Sequence, residues 1–190
     1  MMLTLLIALG AAPSAWAEKR TYEIDPEHFS IGFSVSHVGY ADVIGLFIEG
    51  SGEFVYDEAT QTLHEGRVEI AADSVFTGHE ERDEHVRDKD FLDVDDASTI
   101  VFVARELTTD SPTTGTLEGD LTLLGETHPI TLDVTLNKAA RYPFGHKEYT
   151  LGISATTVIE RSRWGMDYAV DNGLVGDEVA VRLEFEAIRQ

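Results

Sequence analysis

The chain has 190 residues, no cysteine, and 35 acidic against 14 basic residues, for a formal charge of −21 at pH 7. The absence of cysteine excludes disulfides, thiol chemistry and Cys-ligated zinc, so an exported form has to be held by its core alone. The charge argues against binding to nucleic acid or to anionic bilayer surfaces, both of which it would repel.

The first 17 residues read as an export signal and not as part of the fold. Leu3 to Leu9 form a short apolar core, and the small-residue triplet Ala15-Trp16-Ala17 places cleavage after Ala17. The segment departs from the usual pattern in having no Lys or Arg near Met1. It is also well short of the roughly 20 residues that span a bilayer, so stable membrane insertion is not expected. Residues 18–190 then make one domain, long enough to bury a sizeable core.

Along that domain the dominant pattern is two-residue alternation. Thr21 to Asp25 reads as a short strand ended by an Asp25-Pro26 turn. Phe29, Ile31, Phe33 and Val35 then alternate with Ser30, Gly32, Ser34 and Ser36, and His37 ends the apolar row. Asp42 to Tyr56 reads as one long strand, bent at Gly45, Gly50 and Gly52, that pairs with Leu63 to Ala72 across a turn at Asp57 to Thr60. Thr99 to Ala104 resumes the sheet. Thr116 to Leu123 and Ile130 to Leu136 form a hairpin, with Ile130, Leu132, Val134 and Leu136 on the inner face. Thr150 to Arg161 and Glu178 to Ile188 close the chain as two further strands. About eight antiparallel strands at hairpin spacing predict an all-β barrel or sandwich, and the glycines within long strands favour the barrel.

One segment breaks the alternation. His79 to Leu92 has helical charge spacing, with Asp83 and Arg87 one turn apart in the favourable acid-before-base order. Thr77 and Glu80 fit a capping box at its start. Its two histidines raise the question of metal binding. His79 and His85 are, however, six residues apart, about 240° around a helix, and so face different sides, unlike the one-turn spacing of a zinc-binding H-E-x-x-H helix. The segment reads as a short inserted helix that Arg82, Asp83 and His85 tie to neighbouring strands.

No nucleophile elbow, phosphate loop or dinucleotide fingerprint occurs in the chain. What remains is the set of long inward apolar rows: Phe29, Ile31, Phe33, Val35 and Phe47; Leu121 and Leu123; Ile130, Leu132 and Val134; Ile153 and Ile159; Leu183 and Phe185. Such rows build either a packed core or the lining of a cavity for a long apolar molecule, and periodicity does not choose between them.

A set of short motifs, in order, resembles the YceI-like family of periplasmic, lipocalin-like proteins. They are Tyr22-x-Ile24-Asp25, then His28-Phe29-x-Ile31-x-Phe33-x-Val35-x-His37 and Val43-x-Gly45-x-Phe47. Arg82-Asp83-x-His85 with Phe91-Leu92 follows, then Gly119-x-Leu121-Thr122-Leu123-x-Gly125-x-Thr127-x-Pro129-Ile130-Thr131-Leu132. The last is Ile159-x-Arg161-Ser162-x-Trp164-Gly165-Met166. His79 departs from the pattern, standing where members often carry Asn.

The resemblance implies an extended antiparallel barrel whose interior tunnel holds a polyisoprenoid chain, as in a quinone or a polyprenyl phosphate. It implies a periplasmic carrier or sequestering protein with no established catalysis, no metal and no cofactor besides the bound lipid, and a homodimer fits the family habit. The inward rows would then be the tunnel lining, with His37, Arg161 and Trp164 at the head group or rim. Ile159 and Arg161 share strand parity, so an inward Ile159 brings Arg161 in as well. Its buried guanidinium is expected to meet Asp83 or backbone carbonyls before a ligand head group.

Overall fold

The computed structural model describes residues 18–190; the expected export signal and its cleavage site lie outside them. The strands are β1 (Arg20–His37), β2 (Ala41–Phe47), β3 (Gly50–Asp57), β4 (Thr62–Ala71) and β5 (Val75–Phe76). After helix α1 (Glu80–Arg87) come β6 (Thr99–Thr109), β7 (Thr114–Leu123), β8 (Glu126–Arg141), β9 (Tyr149–Glu160) and β10 (Val175–Arg189). They form one sheet in the order β10-β9-β8-β7-β6-β4-β3-β1-β2-β5, and β10 pairs back onto β1. Eight strands thereby close an antiparallel barrel, with β2 and β5 added beside it. The all-β barrel with one short helix is the architecture that the alternation implied.

Two boundaries differ from the sequence reading, and one irregularity explains both. The chain does not turn at Asp25-Pro26: β1 runs on to His37, with a break in register between Ile24 and Phe29. The long strand expected over Asp42 to Tyr56 is two strands. β2 pairs with the upper half of β1, from Ile31 to His37, and β3 with its first residues, Arg20 to Glu23. Opposite the broken stretch of β1 the connecting chain has no continuous partner, and it turns instead to the segment after β4. Ile48 donates to the Ser74 carbonyl, and the Ala71 amide donates to the carbonyl of Glu49.

The β7–β8 hairpin is as expected, and its two turn residues, Leu124 (φ 52°) and Gly125 (φ 75°), are both left-handed. That is the backbone of a type I′ turn, whose twist matches the strands it joins. One end of the barrel is filled. Tyr22, Leu151 and Ala187 are fully buried there, and Phe54 stacks on Tyr22 at 5.3 Å. The Glu58 carboxylate accepts hydrogen bonds from the Tyr22 and Tyr149 hydroxyls at 2.6 and 2.8 Å. Burial, and then this carboxylate, push both phenols above the ordinary tyrosine value. The other half of the barrel, beside α1, is not filled.

Candidate functional site

That half holds a cavity of about 410 Å³ that is open to solvent on one side. Its wall is built from the inward positions of strands around the barrel: Ile31, Phe33 and Val35 of β1, Phe47 of β2, Leu121 and Leu123 of β7, Ile130 and Leu132 of β8, Ile159 of β9 and Leu183 of β10. Phe33 and Phe47 meet at 5.6 Å between ring centres. The polar groups on the wall are His37, Arg82, His85, Thr157, Arg161 and Tyr168; Arg82 and His85 belong to α1, and Tyr168 and Arg161 lie against His85 and Phe91 beside it. His37 is exposed at the rim, next to Val38 at the tip of the β1–β2 hairpin. The result is an apolar pocket with a few polar groups near one end, the usual make-up of a small-molecule site.

Helix α1 and the segment after it form the lid of this end. Arg87 binds the carbonyls of Asp73 and Val75, both at 2.8 Å, which fastens the helix to the β4–β5 connection. The expected capping box is not formed. Gly78, with φ 80°, redirects the chain so that His79 becomes the N-cap residue, and no side chain caps the helix. Thr77 is used differently: its amide and hydroxyl donate to one oxygen of Asp83 at 2.6 and 2.5 Å. Arg82 donates in turn to the Thr77 hydroxyl and carbonyl, each at 2.8 Å. The Thr77 hydroxyl bond, with the amide and the nearby Arg87 and Arg82, outweighs burial and holds the Asp83 carboxyl below the usual carboxylate value.

His85 belongs both to the lid and to the cavity wall. Its ring stands edge-on to Phe91 and Tyr168 at 5.1 and 5.3 Å, and those two rings are 5.2 Å apart, so three rings close a triangle. His85 Nε2 lies 3.2 Å from Asp90.

Arg161 is the most buried basic side chain among the described residues, at 2% exposure. It begins the short 3-10 turn Arg161–Trp164 that follows β9. Its partners are main-chain carbonyls: Gly176, Met166 and Tyr168 at 2.8 Å each, and Val175 at 3.2 Å. Asp83 is not among them. Four of its five donors are thus committed, two to the loop between β9 and β10 and two to the first residues of β10, and the guanidinium lies 5.6 Å from the Phe91 ring centre. Burial lowers its pKa, while Asp177 and Asp167 oppose that shift. A guanidinium stays charged regardless.

Five residues expected at the tunnel or rim lie elsewhere. Phe29 packs in the main core, Ile153 and Phe185 pair across β9 and β10 toward the filled end, and Val134 packs beside Leu132 and Ala155. Trp164 is 1% exposed, is absent from the cavity wall, and donates its indole N–H to the Leu121 carbonyl at 3.1 Å. Strand parity tells inside from outside but not height along the barrel axis, and these residues sit below or behind the cavity. Conversely, Val43, Val68, Ile70, Ile100, Phe102, Val179 and Val181 line it without having been singled out. Each shares the alternating parity of its strand, so the signal was present.

Comparison with known proteins agrees with this architecture. The YceI-like domain family matches residues 22–187. A UPF0312 protein of Pseudomonas savastanoi pv. phaseolicola is 34% identical over 164 residues, covering 86% of this chain and 84% of that protein. Among solved structures, BcnA of Burkholderia cenocepacia superposes with a TM-score of 0.76 at 19% identity, over 86% of this chain and 98% of its own. A polyisoprenoid binding domain from Saccharophagus degradans superposes with a TM-score of 0.65 at 15% identity, over 89% and 98%. The two structures share the fold, and the match over 22–187 makes the protein a member of the YceI-like family.

Proposed function

We propose that the protein is an exported, periplasmic carrier that encloses the isoprenoid chain of a quinone or polyprenyl phosphate in its barrel, without catalysing a reaction on it. The observation that carries this reading is the partly open apolar cavity between the filled end of the barrel and α1. A branched polyprenyl chain is apolar along its length and has one polar end, and the cavity has the same asymmetry. Burying such a chain contributes about 25 cal/mol for each Å² removed from water, so the long apolar wall supplies the affinity. The polyisoprenoid-binding relative of the same fold supports the class of ligand.

The head group would lie toward Arg161, His85 and His37. Among the described residues Arg161 makes no salt bridge: four main-chain carbonyls bind it directly, and Asp177 and Asp167 act on its charge only from farther off. That end of the cavity therefore accepts the carbonyl oxygens of a quinone or the oxygens of a phosphate, although the protein's overall charge favours the neutral quinone. His85, wedged between Phe91 and Tyr168 with Asp90 on its Nε2, is held as a wall element.

Delipidated protein incubated with detergent-dispersed long-chain ubiquinone tests the reading. Retention of about one quinone per chain after desalting is expected, with loss of retention in Leu132→Glu and Phe33→Glu. Failure of wild-type protein to retain either a quinone or a polyprenyl phosphate would overturn it.

A further inference from the structure

The break in β1 has a chemical consequence on the outer wall, away from the cavity. Ile24 pairs with Ala187 and Phe29 with Phe185, so four residues, Asp25 to His28, stand opposite Glu186 alone. An excess of that size cannot stay in the plane of the sheet, and it loops out. The loop folds back on itself: Asp25 accepts the Glu27 amide at 2.9 Å with one oxygen and meets His28 Nδ1 at 2.7 Å with the other. Glu186, between the inward Phe185 and Ala187, points outward and brings Oε2 to 3.7 Å from the same His28 nitrogen. One ligand atom from each of Asp25, His28 and Glu186 falls within 4.8 Å of the other two.

A single Nδ1–H serves one acceptor, and Asp25 has taken it. Glu186 Oε2 is left enclosed and makes no well-formed hydrogen bond among the described residues, although the Tyr142 hydroxyl comes close enough to Glu186 that the carboxylate helps raise the phenol's pKa. An enclosed carboxylate oxygen without a donor is costly, and native structures rarely leave one so. A cation coordinated at Nδ1 in place of the proton would satisfy both carboxylates together. The β8–β9 loop covers the position, with the Tyr142 ring 6.3 Å from His28 and the His146 ring 4.5 Å from Tyr142.

We propose that Asp25, His28 and Glu186 form a binding site for a divalent first-row metal ion of the Zn²⁺ type, which clamps the β1 bulge to β10. One imidazole nitrogen and two carboxylates suit Zn²⁺ and its neighbours better than Ca²⁺ or Mg²⁺, which take oxygen ligands. Three protein ligands leave a fourth position for water or a further group. None of the three residues lines the cavity, so the site is independent of lipid binding.

Calorimetric titration of chelator-stripped protein with ZnCl₂ at physiological salt tests the site. One ion per chain is expected, with affinity falling about tenfold or more in His28→Ala and in Glu186→Gln, by analogy with the loss of other site-shaping groups. Both side chains lie on the outer wall, and circular dichroism checks that the variants are folded. Acidification should release the ion as His28 takes up a proton, and the groups around it are Asp25 and Glu27 on β1, Glu186 on β10, and Tyr142 and His146 on the loop. A His146→Ala variant that keeps the ion assigns the pH response to His28. Absence of Zn²⁺ binding would overturn the site. So would several weak ions that Ca²⁺ displaces and that both variants leave unchanged, which would indicate diffuse attraction to the acidic surface.

Discussion

Gly45 of β2 lies directly beneath the ring of Phe33 on β1: a methyl group at Gly45 would stand 2.2 Å from the ring's Cζ. The two residues are cross-strand partners, and the ring lies across the gap where a side chain would otherwise point. Phe33 and its neighbour Phe47 thereby form part of the cavity wall without filling the cavity.

Gly45→Ala should push the Phe33 ring toward the lumen, because the backbone of a paired strand has less freedom to shift than a side chain. The expected outcome is a folded protein with reduced lipid retention, measured by extraction after saturation with a long-chain quinone. Gly45→Ala combined with Phe33→Leu should recover loading, because the smaller side chain leaves room for the added methyl group.

Asp83→Asn should destabilise the lid. Asp83 has its pKa lowered in the folded protein, chiefly by the Thr77 hydroxyl bond. A depressed carboxylate pKa contributes stability that is present above the unfolded value, near 3.9 for aspartate, and is lost as pH falls through the folded value. The variant should therefore melt several degrees below the wild type at pH 7. The gap should close as both are titrated toward pH 3. Thermal unfolding followed by circular dichroism across that range checks the sign as well as the size.

Arg161→Met should cost about 2–4 kcal/mol, because it leaves carbonyls of the β9–β10 loop and the start of β10 without donors. Denaturant unfolding measures it. Arg161→Lys should recover only part of the loss: an ammonium cannot reproduce the planar fork that reaches Gly176, Met166, Tyr168 and Val175 at once.

Much of this fold is legible in the sequence, because a barrel wall writes its inside and outside as alternation. The Ile130 to Leu136 row is a local signal, and the structure follows it. What the sequence does not carry is anything set by distant partners. Thr77 and Glu80 match a capping box, yet Thr77 is taken by Asp83 and Arg82 once Gly78 has turned the chain. The division of Ala41 to Asp57 into two strands depends on a bulge in β1 that a local reading takes for a turn. Arg161 could be read as buried from the parity of Ile159. Its four carbonyl partners come from the irregular β9–β10 loop and from the start of β10, and only the backbone path reveals them.

The most direct test of lipid carriage is native mass spectrometry of protein purified gently from a cell that exports it. A species heavier than the polypeptide is expected, with the added mass released into organic solvent and identified by fragmentation as a prenyl chain bearing a quinone or phosphate head. The added species should be missing from Leu132→Glu. A wild-type protein that flies consistently at the polypeptide mass alone, or that carries only straight-chain lipids, would contradict the proposed function.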